Sequence, residues 1–167
     1  MFSFSKGFRL AGVSLASAIA FGTAYASDSA TEVGALHAVD QAWMTAYNGG
    51  DVDGVAALYA EHARLQPPGA PAASGKAAIR NYFAKDIPAS AKAGIKIVLD
   101  PNSDGGVSGN LGWVSGTFSV KDSAGHTVDT GKYLSVSKKK DGKWLYWRDT
   151  WNTDGAPAAS AAATAKQ

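Results

Sequence analysis

The sequence has no cysteine in its 167 residues, which excludes disulfides, a thiolate nucleophile and a lipid-modified cysteine. The fold must therefore stand on packing alone. The Gly-x-Ser-x-Gly elbow of the hydrolases is missing. No glycine-rich loop opens a helix to cradle a phosphate; Gly105-Gly106 and Gly109 read as the turn glycines of a hairpin. Histidine is scarce. His37 and Asp40 are one helical turn apart and His62 is remote, so no cluster has zinc spacing. Neither a metal nor an organic cofactor is expected. No apolar run reaches the ~20 residues needed to span a bilayer.

Acidic residues are absent before Asp28, and what stands there instead reads as a targeting segment. Lys6 and Arg9 give a positive start, Leu10 to Phe21 is apolar, and Ala24-Tyr25-Ala26 offers a small-x-small cleavage pattern. Cleavage after Ala26 and a periplasmic or secreted location are expected. Loss of residues 1–26 removes two of the 16 basic residues and none of the 14 acidic ones, leaving the signs balanced. That balance gives no reason to expect nucleic acid or a membrane surface as partner.

Five Trp, six Tyr and six Phe supply the apolar area for one core. From Thr31 to about Asn48, the stripe Val33, Leu36, Trp43, Tyr47 has helical spacing. Asn48-Gly49-Gly50 stops that helix, and Asp51 can cap a short second one to about Tyr59. Pro67-Pro68-Gly69-Ala70-Pro71 is a rigid loop. Ser74 can cap a third helix over Gly75 to Ala84, with Ile79 and Phe83 inward. After Pro88 the period becomes two: a strand at Ile95–Leu99, a turn at Pro101–Gly106, then strands over Leu111–Lys121, Val128–Lys138 and Lys143–Asn152. Asp141-Gly142 joins the last two as a hairpin. Residues 155–167 are Ala-rich and are expected to be a disordered tail. Helices followed by hairpin-linked strands predict an α+β domain over 27–154, a bent antiparallel sheet with the first helix across its concave face.

Two segments carry a family resemblance: "YNGGDVDGVAALYAEHARLQPPGAPAASGKAAIRNYFA" from Tyr47 and "DTGKYLSVSKKKDGKWLYWRDTWN" from Asp129. The first is similar to the front half of ketosteroid isomerases and the wider nuclear-transport-factor-2-like superfamily. The second resembles the small bacterial members described as DUF4440 or SnoaL-like. The resemblance covers about Thr31 to Asp154 and implies a cone-shaped fold with an internal cavity. It implies no single activity, because this fold hosts isomerases, dehydratases, cyclases and plain binding modules. Isomerase chemistry would need a carboxylate base, a tyrosine donor and a neutral carboxylic acid. Counting from Gly50-Asp51, the donor position carries Trp43 and the base position Pro67, beside Gln66. The acid position falls near Lys132 to Leu134, and no Asp or Glu occurs between Gly131 and Lys140. Ketosteroid isomerisation is therefore not expected.

Several polar residues stand out among the apolar ones. Asp40 lies on the Leu36–Trp43–Tyr47 stripe, as a pocket acid or as a solvated or paired residue at its margin. His62 and Arg64 precede the proline loop near the expected cavity mouth, as an acid–base group and an anion clamp or as surface residues. On the last strand, period two puts Trp144, Tyr146, Arg148, Thr150 and Asn152 on one face, and Leu145, Trp147, Asp149 and Trp151 on the other. Either face can line the cavity. Asp149 is the best polar candidate, or else a structural carboxylate bonded to Arg64, Lys132 or a backbone amide. Lys138-Lys139-Lys140 reads as a solvated strand end that discourages edge pairing.

The expectation is a binding protein for a small apolar molecule, lined by Trp43, Tyr47, Tyr59, Phe83, Trp113 and Trp151, with Arg64 and Asp149 as polar contacts. The alternatives are an isomerase or lyase using Asp40, Asp149 or His62, and an interaction module with a filled cavity. A homodimer through the open sheet face is expected in either case.

Overall fold

The computed structural model describes residues 19–155, with side chains from residue 29 onward. Residues 1–18 of the expected targeting segment and 156–167 of the expected tail lie outside them. Among the described residues no helix is long and apolar enough to cross a membrane. The order is α1 (Ile19–Asn48), α2 (Val52–Ala57), β1 (Tyr59–Gln66), β2 (Ala73–Ser74), α3 (Lys76–Lys92), β3 (Lys96–Leu99), β4 (Asp104–Ser108), β5 (Leu111–Lys121), β6 (Thr127–Lys140) and β7 (Lys143–Thr153). The strands form one curved, unclosed sheet in the order β2-β1-β7-β6-β5-β3, with β4 also on β5. All pairings are antiparallel except β1 with β7.

Local chemistry explains the elements that form as expected. The Asp51 carboxylate accepts the Gly54 amide at 2.8 Å and caps α2. Asp141 and Gly142 both take positive φ, 50° and 76°, and close the β6–β7 hairpin. Gly131 lies opposite Phe118 on β5, where a β-carbon would run into the Phe118 ring. The missing side chain lets that ring lie flat across the sheet.

Elsewhere the structure departs from the expectations. The third helix starts after Gly75, which gives it no side-chain cap, and runs through Pro88 to Lys92. Ile87 extends the buried stripe Ile79–Phe83, and that packing outweighs the one amide lost at an exposed proline. His62 and Arg64 lie on β1, a strand whose inward positions are Tyr59, Ala63 and Leu65. Gly105 and Gly106 belong to β4 and pair with Val114 and Trp113, so they are not turn glycines. Lys138–Lys140 end a central strand rather than an edge: Lys138 sits 3.6 Å over the Trp147 ring, and Lys139 reaches Glu32 at 2.5 Å.

The last strand does not keep period two. Val136 pairs with Arg148 and Ser137 with Tyr146, so Trp147 is an extra residue, a β-bulge. The inward residues are Trp144 and Tyr146 before it and Asp149 and Trp151 after it. Each face proposed from sequence is thus half inside and half outside.

The main core joins Tyr47, Val55, Tyr59, Ala63, Leu65, Ile79, Phe83, Ile87 and Tyr146, and a smaller one joins Leu36, Val114 and Trp144. Helices α1 and α3 cover the inner side of the sheet without filling it.

Candidate functional site

A cavity of about 300 Å³ lies between α1, α3 and the sheet. From α1 it receives Asp40, Trp43 and Tyr47, which repeat at three and four residues and so share one helix face. Helix α3 gives Tyr82, Phe83 and Asp86. The sheet supplies Ile97, Leu99, Phe118, Tyr133, Ser135, Tyr146, Asp149 and Trp151, and Pro68 comes from the proline loop.

Two buried carboxylates organise its floor. Asp40, 3% exposed, accepts Tyr146 Oη on Oδ1 at 2.5 Å and Tyr133 Oη on Oδ2 at 3.1 Å. Burial raises its pKa above the usual carboxylate range, against the pull of the two tyrosines and of His37. Asp149, 9% exposed, accepts Tyr59 Oη on Oδ2 at 2.5 Å. Burial, aided by the charge of Asp40, pushes it up to about 6, against the Tyr59 and Thr150 hydrogen bonds. The Tyr59 and Tyr146 rings sit 5.1 Å apart and link the two carboxylate pairs. Both phenols are pushed well above 10, by burial first and then by the carboxylates, so they stay protonated and donate.

Aromatic rings form the opposite wall. Trp43 stacks on Tyr47 at 4.9 Å and 18°, and Phe83 meets Trp43 edge-on at 6.0 Å. Tyr47 Oη donates to Asp86 Oδ2 at 2.6 Å and shares a 2.8 Å bond with Ser90 Oγ. The Trp43 indole N–H is turned toward Tyr59 and eases its ionisation slightly, but it reaches no hydrogen-bond geometry and has no partner. Ser135 is 2% exposed, lines the cavity and lies directly across from Asp149 on β6. Its hydroxyl makes no hydrogen bond to any described residue.

The residues expected at the site divide into two groups. Trp43, Tyr47, Phe83, Asp149, Trp151 and Asp40 come together at the cavity, and Tyr59 sits behind Asp149 rather than on the wall. The solvated reading of Asp40 is corrected: tyrosines enclose it. Arg64 and His62 are exposed on β1 and line nothing, because their positions alternate with the inward Ala63 and Leu65. Trp113 is 43% exposed and alternates outward with the buried Val114. Among the described residues Asp149 has no basic partner, and Lys132 pairs instead with Asp154 at 2.5 Å. Sequence reasoning missed Tyr133, Tyr146 and Ser135. Among the described residues no group of three or more His, Asp or Glu is arranged to hold a metal ion.

The arrangement places a carboxylate whose pKa is pushed up to about 6 against a largely aromatic cavity wall, beside the Ser135 hydroxyl. Such a group can accept or return a proton. Tyr59→Phe is expected to raise the Asp149 titration midpoint further, since its hydrogen bond favours the carboxylate. Carboxyl-carbon NMR titration reads this directly, and an unchanged or lower midpoint contradicts the described pairing.

Comparison with known proteins gives both family and fold. A family model described as a SnoaL-like domain matches residues 41–147. An NTF2-like protein with a cystatin-like fold from Novosphingobium aromaticivorans is 16% identical at a TM-score of 0.71, over 87% of this chain and 96% of its own. A protein titled a putative dehydratase of the NTF2-like family, from Streptomyces avermitilis, is 19% identical at 0.64, over 75% and 98%. A ketosteroid isomerase-like protein from Erwinia carotovora atroseptica is 20% identical at 0.59, over the same shares. At these identities the likeness is one of fold.

Proposed function

Since the chain belongs to the SnoaL-like domain family, of NTF2-like fold, we propose that it binds a small, largely apolar molecule in the cavity and moves a proton on it, as an isomerase or lyase does. The observation that carries this reading is Asp149: a carboxylate buried against a cavity, with no cation beside it and its pKa pushed up to about 6. Such a group is mostly ionised at neutral pH, yet basic enough to take a proton from carbon. The second carboxylate keeps it there, because Asp40 opposes its ionisation. Tyr133, held to Asp40 by the longer of the two tyrosine bonds, can turn its hydroxyl toward a developing oxyanion, and Ser135 can orient the ligand. The putative dehydratase and isomerase-like neighbours lend this the support of a shared fold only.

The test is hydrogen exchange at carbon. Small cyclic and aryl ketones are incubated with the protein in deuterated buffer, and deuterium at the α-carbon is read by mass spectrometry. Exchange above the buffer rate is expected with the natural sequence and not with Asp149→Asn. Equal exchange by both proteins, or none with any ketone, counts against a catalytic Asp149. Melting shifts with the same compounds report binding separately.

A further inference from the structure

We propose, resting on the small-molecule reading above, that the molecule this cavity takes carries a cationic nitrogen: an organic ammonium on a compact apolar body. Charge on the lining is the first reason. Asp40, Asp86 and Asp149 contribute three carboxylates, and among the described residues no Lys, Arg or His lines the cavity. His37, the basic group that acts on Asp40, bonds Ser103 and lies outside the lining. An anionic ligand meets repulsion here, whereas an ammonium supplies the counter-charge that the tyrosine hydrogen bonds to Asp40 and Asp149 do not.

Ser135 is the second and independent reason. The residue is 2% exposed, lines the cavity directly opposite Asp149, and its hydroxyl takes part in no hydrogen bond among the described residues. Buried polar groups in folded proteins are almost always bonded, so a free one on a cavity wall marks a place for a ligand atom. An ammonium has N–H groups to spare: one can donate to Asp149 and another to Ser135 Oγ. The rings of Trp43, Tyr47 and Phe83 then provide negative faces for the positive charge and an apolar surface for the body. About 300 Å³ suits a compact bicyclic or smaller molecule.

The experiment compares one ring system in three charge states. Naphthylmethylammonium, naphthylmethanol and naphthoate are titrated calorimetrically into the full-length protein near neutral pH. The ammonium is expected to bind about tenfold or more tighter than the alcohol, with the naphthoate weakest. Ser135→Ala, which breaks no hydrogen bond among the described residues, should keep the melting temperature and cut the ammonium's advantage severalfold. If the alcohol or the naphthoate binds as tightly as the ammonium, the cationic inference is overturned while the small-molecule reading stands. If none of the three binds or shifts the melting temperature, the small-molecule reading falls and takes this inference with it. An ammonium advantage untouched by Ser135→Ala overturns the placement of the nitrogen between Asp149 and Ser135.

Discussion

Asp149→Asn is expected to make the protein more stable above pH 6 and to flatten its stability between pH 4 and 6. The carboxyl titrates at 3.8 when unfolded and at about 6 when folded, so the folded chain holds its proton more tightly. Between those values the native state binds more protons, and stability falls as pH rises. A shift of that size corresponds to roughly 3 kcal/mol lost by the natural sequence on going from about pH 4 to above pH 6. Asparagine has no charge to bury. Its oxygen can accept the Thr150 amide while its nitrogen donates to the Tyr59 oxygen, since a phenol both donates and accepts. Urea unfolding of both proteins across this range is the measurement. A natural protein whose stability rises from pH 4 to 6, or an Asn variant with the same slope, contradicts the burial of an ionisable Asp149. The half-buried Glu32 and the exposed Asp53, Asp100 and Asp154 are held below their usual range and act the opposite way, at more acid pH. Raised stability with lost proton transfer in one variant is also the pattern of a strained functional group rather than a structural one.

Phe83→Ala should be the most damaging single change to the fold. Phe83 is fully buried and meets Trp43, Tyr47, Tyr59 and Tyr82 ring to ring. Large-to-alanine changes at such sites cost about 3–5 kcal/mol, the loss growing with the space that stays open. Here the space adjoins a cavity, so the surroundings have little reason to collapse into it. Denaturant midpoints give the loss, and tryptophan emission should report Trp43 moving as its edge partner disappears. A loss below about 1 kcal/mol would mean that the aromatic wall closes up by itself.

Much of this was legible in the chain, for identifiable reasons. Trp43, Tyr47 and Phe83 could be placed because helical spacing is local. So could the α2 cap at Asp51 and the β6–β7 hairpin at Asp141-Gly142, which depend on a few adjacent residues. Strand β1 was hidden because its partner β7 is some eighty residues away and two of its inward positions carry small or irregularly spaced side chains. Tyr133, Ser135 and Tyr146 were hidden for a related reason. Alternation puts them on a strand face, but only the pairing of β6 with β7 says that this face meets Asp40 and Asp149. Arg64 was placed at the cavity mouth because its segment precedes the proline loop, and no strand was read there. As a strand it points every second residue outward.

Trp147 deserves a last consequence, because one supernumerary residue decides what the interior contains. Were the pleat to run on unbroken from Tyr146 with Trp147 taking a full place in it, Arg148 and Thr150 would turn inward where Asp149 and Trp151 now stand. The acid would face water and an arginine would be left among the rings. Deleting Trp147 would remove the bulge and leave Asp149 and Trp151 facing inward, opposite Ser135 and Tyr133, so the bulge is what absorbs the extra residue and keeps the acid inside.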